Sequence, residues 1–390
     1  MGETPWTSLI GQLHASDYQM VLAVTGGGSK AISQLLDQAG ASRTLLEAVI
    51  PYSHSSLAEW LGGPPEKSCS EATARAMSMS AWLRARHLAA DTDPRRLIGV
   101  GATASLASDL PKRGAHRVHV AVQTTAQTAT CSLQLSKGCR DRKKEQWLAA
   151  KWILLAIGRA CQIDDSIAGE SFDAQLFEED ELQFHVQLAA PEWADLLIGN
   201  LRCFAASGRL SQDAPRIVFP GAFNPPHAGH RRMAEIAAAK IGQPVTFELS
   251  ITNVDKLPLD YISMHQRIEG FQGWDNQAEL ILTDAPTFQA KSILFPGCTF
   301  VVGADTIVRI ADPTYYAGNV AARDAAIRTI ADLKCRFLVF GRHQQDKFLT
   351  LAEMQLPGSL QALCEQVSQS EFCSEISSTS LRQRRGRHEN

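Results

Sequence analysis

The sequence lacks any apolar run near the ~18 residues that a membrane-spanning helix needs, so no membrane partner is expected. It also lacks a Cys-x-x-Cys pair. Its nine cysteines (Cys69, Cys131, Cys139, Cys161, Cys203, Cys298, Cys335, Cys364 and Cys373) are odd in number and scattered. That pattern excludes a disulfide framework and a structural zinc site, and leaves reduced thiols in a cytoplasmic compartment. A charge excess is missing too. With 38 Lys+Arg against 41 Asp+Glu the formal net charge is −3, so no nucleic-acid partner is expected and an anionic substrate would be held by local positive charge. The opening "MGETPWTSLIGQLHASDYQM" has no basic region followed by an apolar run, and Trp6 stands where a myristoylation signal has Ser or Thr. No low-complexity segment and no long internal repeat is visible.

What is present is an ordinary globular composition, 45% hydrophobic and 20% charged over 390 residues, which suggests two domains. "YQMVLAVTGGGSKAISQLLDQAG" reads as buried strand, Gly-rich turn and helix. "RTLLEAVIPYS" and "RLIGVGATASLA" read as strands, and "CSEATARAMSMSAWLRARHLAAD" has helical periodicity. "HRVHVAVQTTAQTATCSLQLS" alternates like a hairpin. "DRKKEQWLAAKWILLAIGRAC" reads as a long helix with an apolar face of Trp147, Leu148, Trp152, Leu155 and Ile157. A first α/β domain over residues 1–162 follows. Residues 163–213 are expected to connect, with one helix in "PEWADLLIGNLRCFAASG" and a boundary at "RLSQDAP".

From Arg216 a second domain, residues 214–390, restarts the pattern. The strands "RIVFPGAF", "VTFELSI", "AELILTD", "TFVVGAD" and "RFLVFGR" alternate with helices. That alternation predicts a Rossmann-like, doubly wound parallel sheet with right-handed crossovers, which binds ligands at the carboxyl ends of its strands where strand order reverses. The fold class is thus α/β, in two α/β domains.

The stretch "FPGAFNPPHAGHRRMAEIAAAKIG" sits at such a strand–helix junction. Gly221 allows backbone close to a ligand, and Pro225 and Pro226 stiffen the loop and remove two donors. His227 and His230, three apart, would lie side by side at a helix N-terminus, where free N–H groups and partial positive charge suit a polyphosphate.

"GAFNPPHAGH" resembles the H-x-G-H motif of the nucleotidylyltransferase superfamily, and "ISSTSLR" at 376–382 resembles its I-S-S-T-x-x-R motif. Their order and separation resemble nicotinamide- and nicotinate-mononucleotide adenylyltransferases. "FVVGAD" and "FLVFGR" look like two further strand ends of that family. The resemblance implies an enzyme, an adenylyltransferase. His227 and His230 would hold the ATP phosphates and stabilise the transition state, with Arg382 on the polyphosphate. Gly221, Ala222 and Phe223 would approach the nucleotides by their backbone. Gly303 and Asp305 would sit by a ribose or the mononucleotide, and Ser378 and Thr379 would donate to the β- and γ-phosphates. The acceptor phosphate would attack the α-phosphorus in line and pyrophosphate would leave with Mg²⁺, which enters with ATP; no protein metal site is implied. Catalysis is then positioning plus charge stabilisation. Asn224 departs from the Asp of many bacterial members. Lys256 in "NVDKLPL" is a candidate phosphate ligand, and Trp274 reads as a packed ring before a pyridine-stacking one. The alternatives are transfer to another phosphorylated acceptor (phosphopantetheine, or a cytidylyltransferase substrate) and a non-catalytic nucleotide-binding scaffold. The basic tail "LRQRRGRHEN" reads, Arg382 apart, as a solvated end.

Residues 20–162 resemble the CinA C-terminal domain, the nicotinamide-nucleotide amidohydrolases, through "VTGG", "AVIPYSHSSLAEWLG", "GVGATASL" and "CRDRKKEQWLAAKWILL". Ala23 stands where that family has its nucleophilic Ser, and Leu57 where a Lys is expected. Alanine cannot attack, so the resemblance implies a domain without amidase activity. Thr25 and Ser29 keep hydroxyls in the turn, where helix capping is the ordinary role. Oligomerisation through this domain is the remaining partner expectation.

Overall fold

A computed structural model describes residues 4–110, 112–208, 214–274, 279–341, 343–344, 347–348 and 351–372. The chain divides into two units. The first holds Met1–Ala194 and Asp255–Ile262; the second holds Asp195–Val254 and Ser263–Asn390.

The first unit is built on β1 (Gln19–Thr25), β2 (Leu45–Val49), β3 (Leu97–Ser105), β4 (His116–Gln123), β5 (Gln127–Leu135) and β6 (Glu181–Leu188), in the order β2-β1-β3-β4-β5-β6. β1 runs parallel to β2 and β3, and β3 to β6 are antiparallel. "MVLAVT" of β1 is apolar without alternation because it is buried on both faces. Gly26, at φ +74°, closes the turn behind it, and a Cβ there would lie 1.9 Å from the Ala104 carbonyl oxygen.

The helix Arg142–Ala160 starts on Asp141, whose carboxylate accepts from Lys144 N–H. It buries Leu148, Trp152, Leu155 and Ile157 as expected. Trp147 differs: it is 37% exposed, with the Lys30 ammonium 4.5 Å above its ring. One residue is about 100° of helical turn, so Trp147 and Leu148 cannot share one narrow face. Ser29 makes no side-chain capping bond, and Thr25 Oγ1 instead donates to Pro51 O at 2.9 Å. The expected capping role is therefore not met by either hydroxyl.

Residues 163–190 are not a plain connector. They form the helix Ser166–Asp173 and then β6, which pairs with β5 from Gln134↔Glu181 to Gln127↔Leu188. The buried Arg140–Asp180 pair, at 2.6 Å, pins the chain just before β6. Residues 255–262 also belong to this unit. Tyr261 is buried, its hydroxyl donates to Thr125 O at 2.9 Å, and Arg75 Nη1 donates to Asp260 at 2.7 Å.

The second unit has β7 (Cys203–Ala205), β8 (Ile217–Pro220), β9 (Val245–Ser250), β10 (Glu279–Thr283), β11 (Thr299–Gly303), β12 (Arg336–Phe340), a small antiparallel pair β13 (His343–Gln344) and β14 (Lys347–Phe348), and β15 (Cys364–Val367). The helix expected over 191–208 stops at Ile198, and β7 follows. The main sheet has the order β15-β12-β11-β8-β9-β10-β7 and is parallel except for β7. β8 leads outward to β9 and β10 on one side, and β11 starts the other side. This is the doubly wound order with its switch point between β8 and β11. Val218, Phe300, Val302, Phe337 and Val339 pack with Ile307, Ile327 and Ile330 of the covering helices.

Candidate active site

β8 ends at Pro220, and the loop that follows runs into the helix Ala228–Ile241. Gly221 N–H donates to Glu248 O at 3.0 Å, which ties the loop to β9. Phe223 then turns back at φ +43°, a left-handed conformation that a bulky side chain rarely adopts. Its buried ring is what holds it there. It lies 5.1 Å from Phe271 and 5.5 Å from Phe247, edge-on to both, and 5.6 Å from Phe219. A Cβ on Gly221 would come within 2.5 Å of that ring, so a glycine is required by the Phe223 ring rather than by its own φ.

His227 is the N-cap residue, and His230 lies in the first turn. Their rings stack with centroids 3.8 Å apart at 27°. His230 Nδ1 accepts the His227 backbone N–H at 3.2 Å. An accepting Nδ1 leaves the ring proton on Nε2. Burial drives His230 down from its ordinary value to about 3, with the neighbouring His227 adding to the effect, and burial also lowers His227. Both rings are therefore neutral donors near pH 7. His227 Nδ1 is buried and makes no hydrogen bond, and an unpaired buried ring nitrogen is a feature that a ligand can satisfy.

β11 lies beside β8, pairing Phe300 with Val218, and delivers Gly303 and Asp305 at the same carboxyl edge. Gly303 caps the helix Ala304–Ala311, and a Cβ on it would meet nothing within 4 Å. Asp305 and Ala222 are exposed. The sheet thus brings Gly221, Ala222, Phe223, His227, His230, Gly303 and Asp305 to the two strand ends that flank the switch point. Lys256 is exposed on the chain between β9 and the helix Tyr261–Glu269, within residues 255–262 of the first unit. Trp274 packs on Phe247 and Phe271 at 5.4 and 5.1 Å, with the Arg231 guanidinium 5.2 Å from its ring. That is the packed-ring reading. Ser378, Thr379 and Arg382 lie outside the described residues. Among the described residues no three His, Cys, Asp or Glu side chains converge on a metal position.

Two features were not anticipated. One is the layer of Phe219, Phe247 and Phe271 beneath the loop, assembled from separate elements. The other is the buried Glu248–Lys291 ion pair, at 2.6 Å, beneath the strand that holds the loop. A lone Glu inside "VTFELS" was its signal.

In the first unit, Ala23 is fully buried and packs in one apolar cluster with Leu57 and Met77. A shallow cleft of about 420 Å³ adjoins this region, lined by Val49, Ile50, Pro51, Ser56, Glu59 and Trp60. Its only charged lining residue is acidic, the wrong sign for a phosphate.

Residues 218–384 match the cytidylyltransferase-like family model. Residues 218–384, most of them in the second unit, thus carry a cytidylyltransferase-like domain. It has that family's Rossmann-type fold, and its class supports nucleotidyl transfer in general. Over the N-terminal part, solved structures of competence/damage-inducible proteins are similar. CihA from Agrobacterium tumefaciens is 16% identical, covering 42% of this chain and 98% of its own, with a TM-score of 0.33. ComA from Klebsiella pneumoniae is 19% identical, covering 40% and 93%, with a TM-score of 0.31. No curated protein matches the chain. No helix among the described residues is long and apolar enough to cross a membrane.

The site offers backbone amides at a helix N-terminus and two neutral imidazoles, one with its donor assigned to Nε2. Such a set binds an anion through hydrogen bonds. It can strengthen those bonds as charge builds on a transferring phosphoryl group.

Proposed function

We propose that the second unit transfers the adenylyl group of Mg-ATP to nicotinamide or nicotinate mononucleotide, giving the dinucleotide and pyrophosphate. The observation that carries this reading is the stacked His227–His230 pair at the N-terminus of the helix Ala228–Ile241, on the strand that flanks the switch point. The acceptor phosphate oxygen attacks the α-phosphorus of ATP in line, the bond to the β-phosphate oxygen breaks, and pyrophosphate leaves. No protein nucleophile takes part. His230 Nε2–H and the His227 ring donate to phosphate oxygens as their charge grows.

The open space before Gly303 leaves room for a ribose, and Asp305 accepts from its hydroxyls. Gly221, Ala222 and Phe223 offer backbone. Ser378, Thr379 and Arg382 complete the polyphosphate grip by the resemblance of "ISSTSLR". The odd, scattered cysteine set supports a reducing, cytoplasmic setting.

The first unit, on this reading, has no amidase activity. Ala23 and Leu57 pack against each other's cluster where a nucleophile and a cation would be needed.

The test is pyrophosphate release by the purified protein with Mg-ATP and each mononucleotide in turn. Release with either, abolished by His227→Ala, supports the reading and ranks the acceptors. Silence with both, alongside release with Mg-CTP and a phosphorylated alcohol, would replace it with cytidylyl transfer.

A further inference from the structure

β6 is the outer strand of the first sheet, and among the described residues its outer edge has no partner strand. Among the described residues it is the longest edge strand of either main sheet, with 8 residues against 5 in β2, 3 in β7 and 4 in β15. Edge strands are usually blunted by Lys, Pro or a bulge. β6 contains none of these; its one acidic residue is Glu181, at its first position. Three of its four apolar side chains are open to solvent: Phe184 is 48% exposed, Val186 51% and Leu188 65%, while Leu182 packs against the core and the Phe184 ring lies 4.9 Å from Trp152.

The backbone direction follows from the ladder. Ala189 N–H donates to Ala126 O, toward β5. By the alternation of an antiparallel pair, Gln183, His185 and Gln187 turn their backbone groups the same way, and Leu182, Phe184, Val186 and Leu188 turn theirs outward. The sequence of this edge, "LQFHVQL", reads almost the same in both directions about His185.

We propose that β6 pairs antiparallel with β6 of a second copy of this chain, about a two-fold axis at His185. In that register Leu182 faces the partner's Leu188, Phe184 the partner's Val186, and Gln183 the partner's Gln187. The directly opposed pairs with outward backbone groups are Phe184 with the partner's Val186 and Leu182 with the partner's Leu188, so they exchange N–H···O bonds, and His185 meets the partner's His185 in the non-bonded position. Side chains that face each other share a face of the joined sheet, apolar on apolar and amide on amide. No carboxylates oppose, because Glu181 falls opposite the partner's Ala189. One patch meets itself, as a two-fold interface requires. An unrelated peptide added to the edge would need only the free backbone groups; the near-palindrome favours a second copy.

The full-length chain tests this. Light scattering should give a dimer. Val186→Pro removes an outward N–H without touching the ladder to β5, and Val186→Lys sets a charge at the seam; each should yield monomer with an unchanged circular dichroism spectrum. His185→Cys, under a mild oxidant that accepts the two thiol electrons, should give a covalent dimer in excess of the unmodified chain, because non-bonded antiparallel partners lie within disulfide reach. Gln183→Cys, opposite the partner's Gln187, should not. A monomeric unmodified chain would overturn the proposal, and so would a dimer that survives both Val186 substitutions.

Discussion

The imidazole rings of His227 and His230 stack 3.8 Å apart, and His230 takes its orientation from the His227 backbone N–H. The first residue of the pair therefore sets the geometry of the second through main chain rather than side chain. Removing either ring should remove one phosphate donor while the helix cap survives in part.

We expect His227→Ala and His230→Ala each to lower the rate of pyrophosphate release by about 10²-fold or more, the scale of losing one transition-state donor. The loss should fall on kcat more than on KM, since the contact strengthens as charge develops. Steady-state kinetics of the two variants measures this.

The pH dependence of stability has a defined sign. In the folded chain His230 stays neutral down to about 3, whereas its ordinary value is 6.5. Between those limits the unfolded chain binds the extra proton. The stabilisation is fully present above pH 6.5 and is lost as pH falls toward 3. His227 is shifted in the same direction, and His119 of the first unit, lowered to about 4 mainly by burial, adds to the effect. Urea midpoints should drop between pH 6.5 and 4.5, and the drop should be shallower in His230→Gln.

Leu57→Lys, which brings back the cation the resemblance calls for, should destabilise the first unit by on the order of 3 kcal/mol or more. It would place an ammonium in the apolar cluster of Ala23 and Met77. Denaturant unfolding reads the cost. Ala23→Ser in the otherwise unchanged chain should release no ammonia from nicotinamide mononucleotide.

Lys291→Met should cost about 3–5 kcal/mol, because it strands the buried Glu248 carboxylate. Since Glu248 also receives the Gly221 N–H through its carbonyl, transferase activity should fall with stability, and equilibrium unfolding alongside kinetics would show both.

The strand–loop–helix around His227 was legible because a continuous apolar run gives way to a 3.6 period across a Gly/Pro loop, a local signal. The switch point followed from the same alternation, and the structure places β8 and β11 on either side of it. β6 went unread although "LQFHVQL" alternates cleanly; its acidic approach masked it. The Phe219–Phe223–Phe247–Phe271 layer was illegible because its members are far apart in sequence and meet only after folding. Thr25 and Ser29 misled for a different reason: a hydroxyl beside a helix start is free to bond elsewhere, and Thr25 does.

The placement of residues 255–262 has a consequence for anyone who would trade parts between proteins. The chain leaves the first unit, returns for Asp260 and Tyr261, and leaves again. Neither unit is a cassette with one entrance and one exit. A graft of the second unit cut only near residue 195 would carry away an aspartate and a tyrosine whose partners, Arg75 and Thr125, stay behind.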